Sequence, residues 1–177
     1  MVILKITMIW KKSTKMKLFT DGSVHSKSNI GFGAYLWIPE EAWSLADLKA
    51  RVKVKRFDDT TSTKLELQTL LFVLGEVPNN GQKITIYTDS QNIIGLPARQ
   101  NRLEQNNYYS AKNKLLTNHE LYKTFFQLTN QLDCEYVKVV GHSPKSTKNT
   151  IEQFFTCLLY TSPSPRDLST SRMPSSA

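Results

Sequence analysis

The chain has 177 residues, and its length, composition and charge already exclude several classes of protein. Hydrophobic residues make up 40% of the sequence, which is too many for a disordered chain, and no apolar run is long enough to span a membrane. The two cysteines make neither a disulfide framework nor a zinc-binding spacing, so a reducing, cytoplasmic location is expected. Half of the formal net charge of +8 comes from four lysines in residues 1–15, so the charge is compatible with a nucleic-acid partner without establishing one.

Composition divides the chain into three regions. Residues 1–15 place their lysines after an apolar stretch, the reverse of a secretory signal, and we expect a disordered basic extension; a basic arm that binds a polyanion is the alternative. Residues 16–156 carry the hydrophobic patterning of a single folded domain. Residues 157–177 are rich in Ser and Pro and resemble a translated sequencing adapter, so we expect a non-native, disordered tail, with a genuine disordered tail as the alternative.

Within residues 16–156 the pattern predicts strands and helices in the order β-β-β-α-β-α-α-β-α. The predicted strands are Lys17–Thr20, Ala34–Ile38, Val52–Phe57, Lys83–Thr88 and Cys134–Val140. The predicted helices are Thr63–Val77, a short helix Ser90–Leu96 that Pro97 stops, Asn113–Leu132 and Thr150–Phe155. Three consecutive strands form an antiparallel meander, and a strand after a helical crossover usually runs parallel to its predecessor. The expected fold is therefore α/β, with a mixed five-stranded sheet and helices on both faces.

Local signals indicate where two of these elements begin or end. Asp21 and Gly22 form a turn dipeptide, which predicts that the first strand ends just before them. Thr63 and Glu66 have the spacing of a capping box at the start of the next helix. The apolar stripe of that helix consists of Leu67, Leu70, Leu71 and Leu74.

Three acidic residues fall where a catalytic or metal site is expected. Asp21 follows the first strand, Asp89 follows the fourth, and Glu66 lies in the first turn of the helix between them. If the two strands are parallel neighbours, both aspartates emerge at the edge of the sheet where α/β proteins place their sites. A divalent cation would relieve the repulsion of three carboxylates there, and oxygen ligands favour Mg²⁺ or Mn²⁺. Each acid also has a purely structural interpretation: a turn for Asp21, a helix N-cap for Asp89 and the capping box for Glu66.

Four motifs, in this order, resemble those of type 1 ribonuclease H. They are TDGS at 20–23, LEL at 65–67, YTDSQ at 87–91 and the GH pair at 141–142, and the similarity covers about residues 16–156. The resemblance implies a ribonuclease H-like fold and an endonuclease that hydrolyses the RNA strand of an RNA–DNA hybrid, leaving 3′-hydroxyl and 5′-phosphate ends. It also implies two Mg²⁺ ions, with Mn²⁺ as a substitute, that serve both oxygens of an in-line displacement.

The same resemblance assigns the catalytic residues. Asp21, Glu66 and Asp89 match the metal-binding carboxylates, and His142 matches a histidine on a mobile loop that shuttles a proton or assists product release. The fourth metal-binding acid of the family is normally Asp. Glu152 has a compatible spacing from His142, but in another register the position falls near Leu159, which would leave this chain without that ligand.

Contacts to the two strands of a hybrid are expected from different parts of the chain. The resemblance places these residues against the RNA strand, the sugar–phosphate backbone or the minor groove: Gly22, Ser23, Thr61, Ser62, Thr63 and Gln91. The segment from Arg99 to Lys123 has a net charge of +3 and interleaves Tyr108 and Tyr109 with its bases, so it is a candidate surface for the DNA strand. Lys112 and Lys114 are its candidate phosphate contacts. An ordinary solvated helix and loop is the alternative.

Two other functions remain open at this point. If the fourth carboxylate and most of the last helix are missing, the domain binds hybrids without cutting them. The other alternative is a different nuclease of the same fold, such as an integrase, a transposase or a proofreading exonuclease, although the DSQ at 89–91 and the GH pair argue against it. A monomer is expected, and no protein partner is implied.

Overall fold

The computed structural model describes residues 15–39 and 50–139. The strands are β1 (Lys15–His25), β2 (Ile30–Pro39), β3 (Lys53–Phe57), β4 (Lys83–Thr88) and β5 (Asp133–Lys138). The helices are α1 (Ser62–Gly75), α2 (Gln91–Gln105) and α3 (His119–Thr129). This order matches the predicted one up to its last strand. The predicted helix Thr150–Phe155 and the tail of residues 157–177 lie outside the described residues, as does the N-terminal extension apart from Lys15.

The five strands form one mixed sheet in the order β3-β2-β1-β4-β5. β1, β2 and β3 are antiparallel neighbours. β4 pairs in parallel with β1, and β5 pairs in parallel with β4. The predicted α/β fold with a mixed five-stranded sheet is therefore confirmed.

Alternation of side chains along the strands divides the core between the two faces of the sheet. On one face, Leu18, Ile84 and Ile86 pack with apolar residues from all three described helices. The predicted stripe of α1 is part of this core, because its four leucines, Leu67, Leu70, Leu71 and Leu74, are all buried. On the opposite face, Phe19 stacks on Tyr87 with ring centroids 4.6 Å apart. In the described part of the chain, α1, α2 and α3 thus share one face of the sheet.

β1 is longer than the sequence predicted. Asp21 and Gly22 lie inside the strand, paired with β2, so the predicted turn at this dipeptide is wrong. The chain turns instead at residues 26–29, where Asn29 has a left-handed backbone with φ of 53°. Pairing with β2 supplies partners for the backbone groups of β1 well beyond the end of β4, which explains why the strand continues.

The N-terminal caps of α1 and α2 differ from the interpretations that the sequence suggested. Thr61 caps α1, and its hydroxyl accepts from a backbone amide of the first turn at 3.4 Å. The capping box of Thr63 with Glu66 is therefore wrong, and the Glu66 carboxylate makes its contacts elsewhere. In α2 the cap is Ser90 rather than Asp89, and its Oγ accepts from a first-turn amide at 3.3 Å.

α2 continues through Pro97, where the sequence predicted a stop. A proline inside a helix removes one backbone hydrogen bond and crowds the preceding turn. The guanidinium of Arg99 adds hydrogen bonds in this region, donating to the carbonyl oxygens of Asn92 (2.9 Å) and Gly95 (3.0 Å). Leu103, further along the helix, is buried in the core. These contacts favour the full helix over an early end.

α3 begins at His119 rather than at the predicted Asn113. The chain before it is a loop in which Tyr109 and Leu115 form an isolated antiparallel bridge. Asn113 has a left-handed backbone with φ of 54°, which a right-handed helix does not accommodate. Within residues 15–39 and 50–139, no helix combines the length and the hydropathy needed to cross a bilayer.

Candidate catalytic site

Asp21 and Asp89 follow neighbouring parallel strand segments. The last residues that β1 and β4 pair in parallel are Phe19 and Tyr87. Each aspartate lies two residues further along the chain than its member of this pair, so the register places the two at the same level of the sheet. Both are half-buried. The carboxylates thus lie at the C-terminal end of β4, beside the continuing strand β1.

Glu66 reaches this region from the first turns of α1. Ser90, which directly follows Asp89, donates its hydroxyl proton to Glu66 Oε2 at 2.6 Å. The Ser90 amide in turn donates to the hydroxyl of Thr88 at 3.2 Å. Ser90 is only 4% exposed, so its end of both bonds is shielded from water, while Glu66 is half-buried. The result is that the Glu66 carboxylate is held against the chain that links β4 to α2.

The pKa of Glu66 reflects a carboxylate that is partly buried and lies near a second carboxylate, that of Asp89. Burial raises the pKa of Glu66 above its ordinary value, and like-charge repulsion from Asp89 adds to that rise. The hydrogen bond from Ser90 lowers the pKa because it stabilises the ionised form. Glu66 and Asp89 are therefore electrostatically coupled. The hydrogen bond from Ser90 offsets part of the free-energy cost of keeping the Glu66 carboxylate ionised.

Asp21 approaches from a different side. Strand alternation places it on the face of Phe19, whereas α1, which carries Glu66, packs on the opposite face. Within residues 15–39 and 50–139, no group of three or more acidic, histidine or cysteine side chains is arranged to hold a metal ion. The donors fit a hard divalent cation in kind, since all are carboxylate oxygens and the repulsion between Glu66 and Asp89 is what a cation would relieve. The convergence of all three carboxylates on metal ions stays a prediction.

The sequence of the whole chain identifies the protein family to which it belongs. Residues 13–153 match the family described as RNase H. The chain belongs to the RNase H family. Among curated proteins, a ribonuclease H of Syntrophomonas wolfei is 26% identical over 129 residues, which make up 71% of this chain and 83% of that protein. The resemblance to ribonuclease H that the four motifs carry is thus confirmed.

Solved structures share this RNase H fold. The solution structure of the PFV RNase H domain is 16% identical with a TM-score of 0.66, over 83% of this chain and 91% of that one. The foamy viral protease-reverse transcriptase in complex with dsDNA is 17% identical with a TM-score of 0.60, over 82% of this chain and 94% of that one. In complex with an RNA/DNA hybrid, it is 15% identical with a TM-score of 0.59, over 74% of this chain and 18% of that one. At these identities the structures establish a shared fold.

Two predicted site residues lie outside the described part of the chain. They are His142, expected on a loop after β5, and Glu152, one candidate for the fourth carboxylate. The alternative position near Leu159 also lies outside it. Their assignments rest on the RNase H motifs alone.

The residues predicted to contact the RNA strand flank the carboxylates on β1 and α1. Thr61 and the two residues after it, Ser62 and Thr63, are exposed at the start of α1. Ser23 is half-buried and shares a strand face with Asp21. Gly22 points to the other face, where an added Cβ would lie 2.8 Å from Leu65 Cδ2. A larger residue at this position would therefore force the buried Leu65 side chain to shift, independently of any contact to RNA.

Part of the basic segment 99–123 is occupied by internal contacts. The guanidinium of Arg99 donates to carbonyl oxygens of its own helix. Tyr108 is buried, so only Tyr109 of the predicted aromatic pair is exposed. Lys123 forms an ion pair with Glu120 at 2.9 Å. The segment thus offers fewer groups to a ligand than its composition suggests.

Lys112 and Lys114 are the basic groups of this segment that remain exposed in the loop before α3. The loop has its own framework, in which the Ser110 Oγ accepts from the Lys114 amide at 3.2 Å. Within the ranges that the structure describes, neither lysine has an ion-pair partner. Two cations next to the exposed Tyr109 suit a polyanionic backbone.

The sequence did not single out two residues that shape this site, Ser90 and Lys138. Ser90 lies in the YTDSQ motif, and serine is a preferred helix N-cap, so a signal for it was present. Lys138 lies at the end of β5, and its Nζ donates to Gln91 Oε1 at 2.7 Å. Nothing in a single sequence connects two residues 47 positions apart.

Proposed function

We propose that this chain is a ribonuclease H that hydrolyses the RNA strand of RNA–DNA hybrids with two Mg²⁺ ions. The coupled pair of Glu66 and Asp89, with Asp21 at the same level of the sheet beside the C-terminal end of β4, carries the proposal in a chain of the RNase H family. A curated relative is named ribonuclease H, and a protein of the same fold was solved with an RNA/DNA hybrid, which supports this choice of substrate.

The carboxylates divide the catalytic work with the groups that hold them. Asp21, Glu66 and Asp89 would hold the cations, and Glu152 would join them if it occupies the fourth position. Bound ions would supply an activated water and stabilise charge on the attacking and leaving oxygens. The chain itself must keep Glu66 ionised and oriented despite burial and the charge of Asp89. The hydrogen bond from Ser90 serves that purpose.

His142 is proposed to move a proton between the leaving group and solvent, or to assist product release. An unperturbed imidazole has a pKa of about 6.5, so both of its forms are accessible under physiological conditions.

Substrate recognition is proposed to use both sides of the site. The backbone at Gly22, the hydroxyl of Ser23 and the exposed start of α1 at 61–63 would contact the RNA strand and its 2′-hydroxyl groups. Gln91 would reach the minor groove between the strands. Lys112 and Lys114 would hold the phosphates of the DNA strand.

The decisive experiment is incubation of an end-labelled RNA–DNA hybrid with the full chain and Mg²⁺. Asp89→Asn removes a proposed metal ligand and should abolish cutting. Asp133→Asn is the matched control, since Asp133 pairs with Lys83 at the opposite end of β4. We expect internal cuts in the RNA strand that Asp89→Asn removes and Asp133→Asn leaves in place.

The other outcomes separate the alternatives. Retained hybrid binding without cutting by the unmodified chain would identify a hybrid-binding domain and overturn the proposed activity. Preferential cutting of duplex DNA or of 3′ ends would identify a different nuclease of this fold. Cutting that survives Asp89→Asn would remove the proposed role of that residue.

A further inference from the structure

Gln91 and Lys138 form a pair at the edge of the proposed site. In the β4–β5 register, Lys138 lies opposite Thr88, the residue before Asp89. Gln91 is the first residue of α2, two positions after Asp89. The Lys138 ammonium donates to Gln91 Oε1 at 2.7 Å, and both side chains are exposed. The pair therefore borders the carboxylates and is accessible to a bound nucleic acid.

The chemistry of this contact fixes the orientation of the glutamine amide. An ammonium group has three N–H donors and no acceptor, so it bonds only to the oxygen end of the amide. The Nε2 group of Gln91 is then the end left to face other partners, and in the described ranges it has none. Without the lysine, the amide is free to rotate and present either its acceptor or its donor. Lys138 thus turns an ambiguous side chain into a donor.

A surface that presents only donors selects acceptors. The Gln91 Nε2 group and the remaining N–H groups of Lys138 are all donors. In the minor groove, A·T and T·A pairs both present only acceptor atoms, and phosphate and sugar oxygens accept as well. G·C pairs add one donor, the guanine amino group, but they keep acceptor atoms as well, so a donor-only pair finds an acceptor at every base pair of the groove.

We infer that Lys138 is a positioning residue that orients the Gln91 amide so that its Nε2 group donates to acceptor atoms in the groove of a bound hybrid. This inference rests on the proposed function, because it presupposes that the hybrid binds over this edge of the sheet. Lys138 then acts through Gln91 rather than through a contact of its own to phosphate. It affects binding of the substrate and not the chemical step.

The test compares Lys138→Met with Lys138→Arg in the full chain. Lys138→Met removes the donor and keeps the length of the side chain, whereas Lys138→Arg keeps a donor-only cation. Lys83→Met is the matched control, since it removes one positive charge at the other end of β4, where Lys83 pairs with Glu135. Hybrid affinity without divalent cation, KM and kcat with Mg²⁺, and the unfolding midpoint are measured for each.

Lys138→Met should weaken hybrid binding and raise KM by roughly three- to tenfold, the loss expected for about one hydrogen bond, with kcat unchanged. Lys138→Arg should restore most of the affinity, and Lys83→Met should change little. The unfolding midpoint should stay the same, because an exposed hydrogen bond contributes little to stability. A fall in the midpoint that accounts for the weaker binding would overturn the inference.

The double variant Gln91→Ala with Lys138→Met tests whether the lysine acts through the glutamine. In the Gln91→Ala background, Lys138→Met should have no further effect on hybrid affinity. Additive losses, together with a salt slope that falls by about one, would show that Lys138 contacts phosphate directly and would overturn the positioning role. An unmodified chain that neither binds nor cuts hybrids defeats the proposed function itself, whereas normal cutting with an unaffected Lys138→Met variant defeats this inference alone.

Discussion

The hydroxyl of Ser90 makes two hydrogen bonds that serve different parts of the molecule. It accepts from the Ile93 amide at 3.3 Å, which caps α2, and it donates its single proton to Glu66 Oε2 at 2.6 Å. Because the cap uses a lone pair and leaves the proton for the carboxylate, the two bonds do not compete. The proposed metal ligand Glu66 is therefore anchored by Ser90, the residue that caps α2.

Replacing Ser90 with alanine should raise the pKa of Glu66. The lost hydrogen bond stabilised the ionised carboxylate, while burial and the charge of Asp89 remain. The measurement is a carbon-detected NMR titration of the Glu66 carboxyl in metal-free protein. Thr61→Ala is the control, because it also removes a helix N-cap, and the Thr61 hydroxyl bonds to the Lys64 amide rather than to the Glu66 carboxylate. An unchanged titration in Ser90→Ala would contradict the role of this bond.

Glu66→Gln should stabilise the metal-free protein at neutral pH. The folded-state pKa of Glu66 is raised above its unfolded value, so the folded protein disfavours the ionised form. This loss of folding stability is present at pH values above the folded-state pKa of Glu66. It disappears at lower pH, where the carboxylate is protonated. Glutamine resembles the protonated acid, so its advantage should be seen at neutral pH and lost in acid. Cutting should be lost as well, because glutamine is a poor substitute for a charged ligand.

Urea unfolding at several pH values measures this effect. The control is Glu104→Gln, which neutralises an exposed carboxylate of α2 that accepts a hydrogen bond from Gln100. A stabilisation of Glu66→Gln that persists unchanged in acid would mean that its cause is packing rather than charge.

At the scale of the elements, α1 packs unusually close to β1 and β2 where both strands carry glycine. An added Cβ at Gly33 would lie 1.9 Å from the Thr69 hydroxyl oxygen. Thr69 is buried, and its hydroxyl donates to the Leu65 carbonyl at 2.8 Å, so it cannot easily move aside. The close approach sets the height of α1 above the sheet and hence the reach of Glu66 towards Asp89.

Gly33→Ala should therefore destabilise the fold by about 1–3 kcal/mol, the usual cost of overpacking a filled core. Gly75→Ala is the matched control, because nothing lies within 4 Å of its added Cβ and alanine favours a helix. Chemical denaturation of both variants gives the comparison. Equal stability of the two would show that α1 adjusts to the extra methyl group, and Glu66 would then not depend on this packing.

The elements also show what one sequence can and cannot predict here. The five strands and the leucine stripe of α1 follow from hydrophobic periodicity, and Asp89 follows from its position after a strand, whereas Asp21 lies inside β1. The prediction of a turn at Asp21 was wrong because pairing of β1 with β2 outweighed the local turn signal of the Asp–Gly dipeptide. The prediction that α2 ends at Pro97 was wrong because the hydrogen bonds of Arg99 and the core packing of Leu103 outweighed the helix-breaking effect of proline. The contact of Lys138 with Gln91 arises only when β5 is placed beside β4.

Across the whole molecule, the two ends of the sheet carry different groups. The C-terminal end of β4 carries the carboxylates and Ser90, whereas its N-terminal end pairs Lys83 with Lys15 of β1 and with Asp133 of β5. Exposed cations also lie in the loop before α3, at Lys112 and Lys114. If the loop binds the DNA strand, charge there should matter for hybrid affinity more than equal charge at the far end of the sheet.

Neutralising Lys112 and Lys114 together to glutamine should weaken hybrid binding and flatten its dependence on salt. Each lost phosphate contact lowers the slope of log affinity against log salt by roughly 0.9, so the slope should fall by about two. The matched control replaces Lys15 and Lys83, a neighbouring pair at the other end of the sheet, and removes the same formal charge. Equal changes in both double variants would indicate an effect of net charge, and an unchanged slope in the loop variant would exclude the loop from the interface. A fall confined to the loop variant would place a phosphate backbone of the hybrid along the loop before α3.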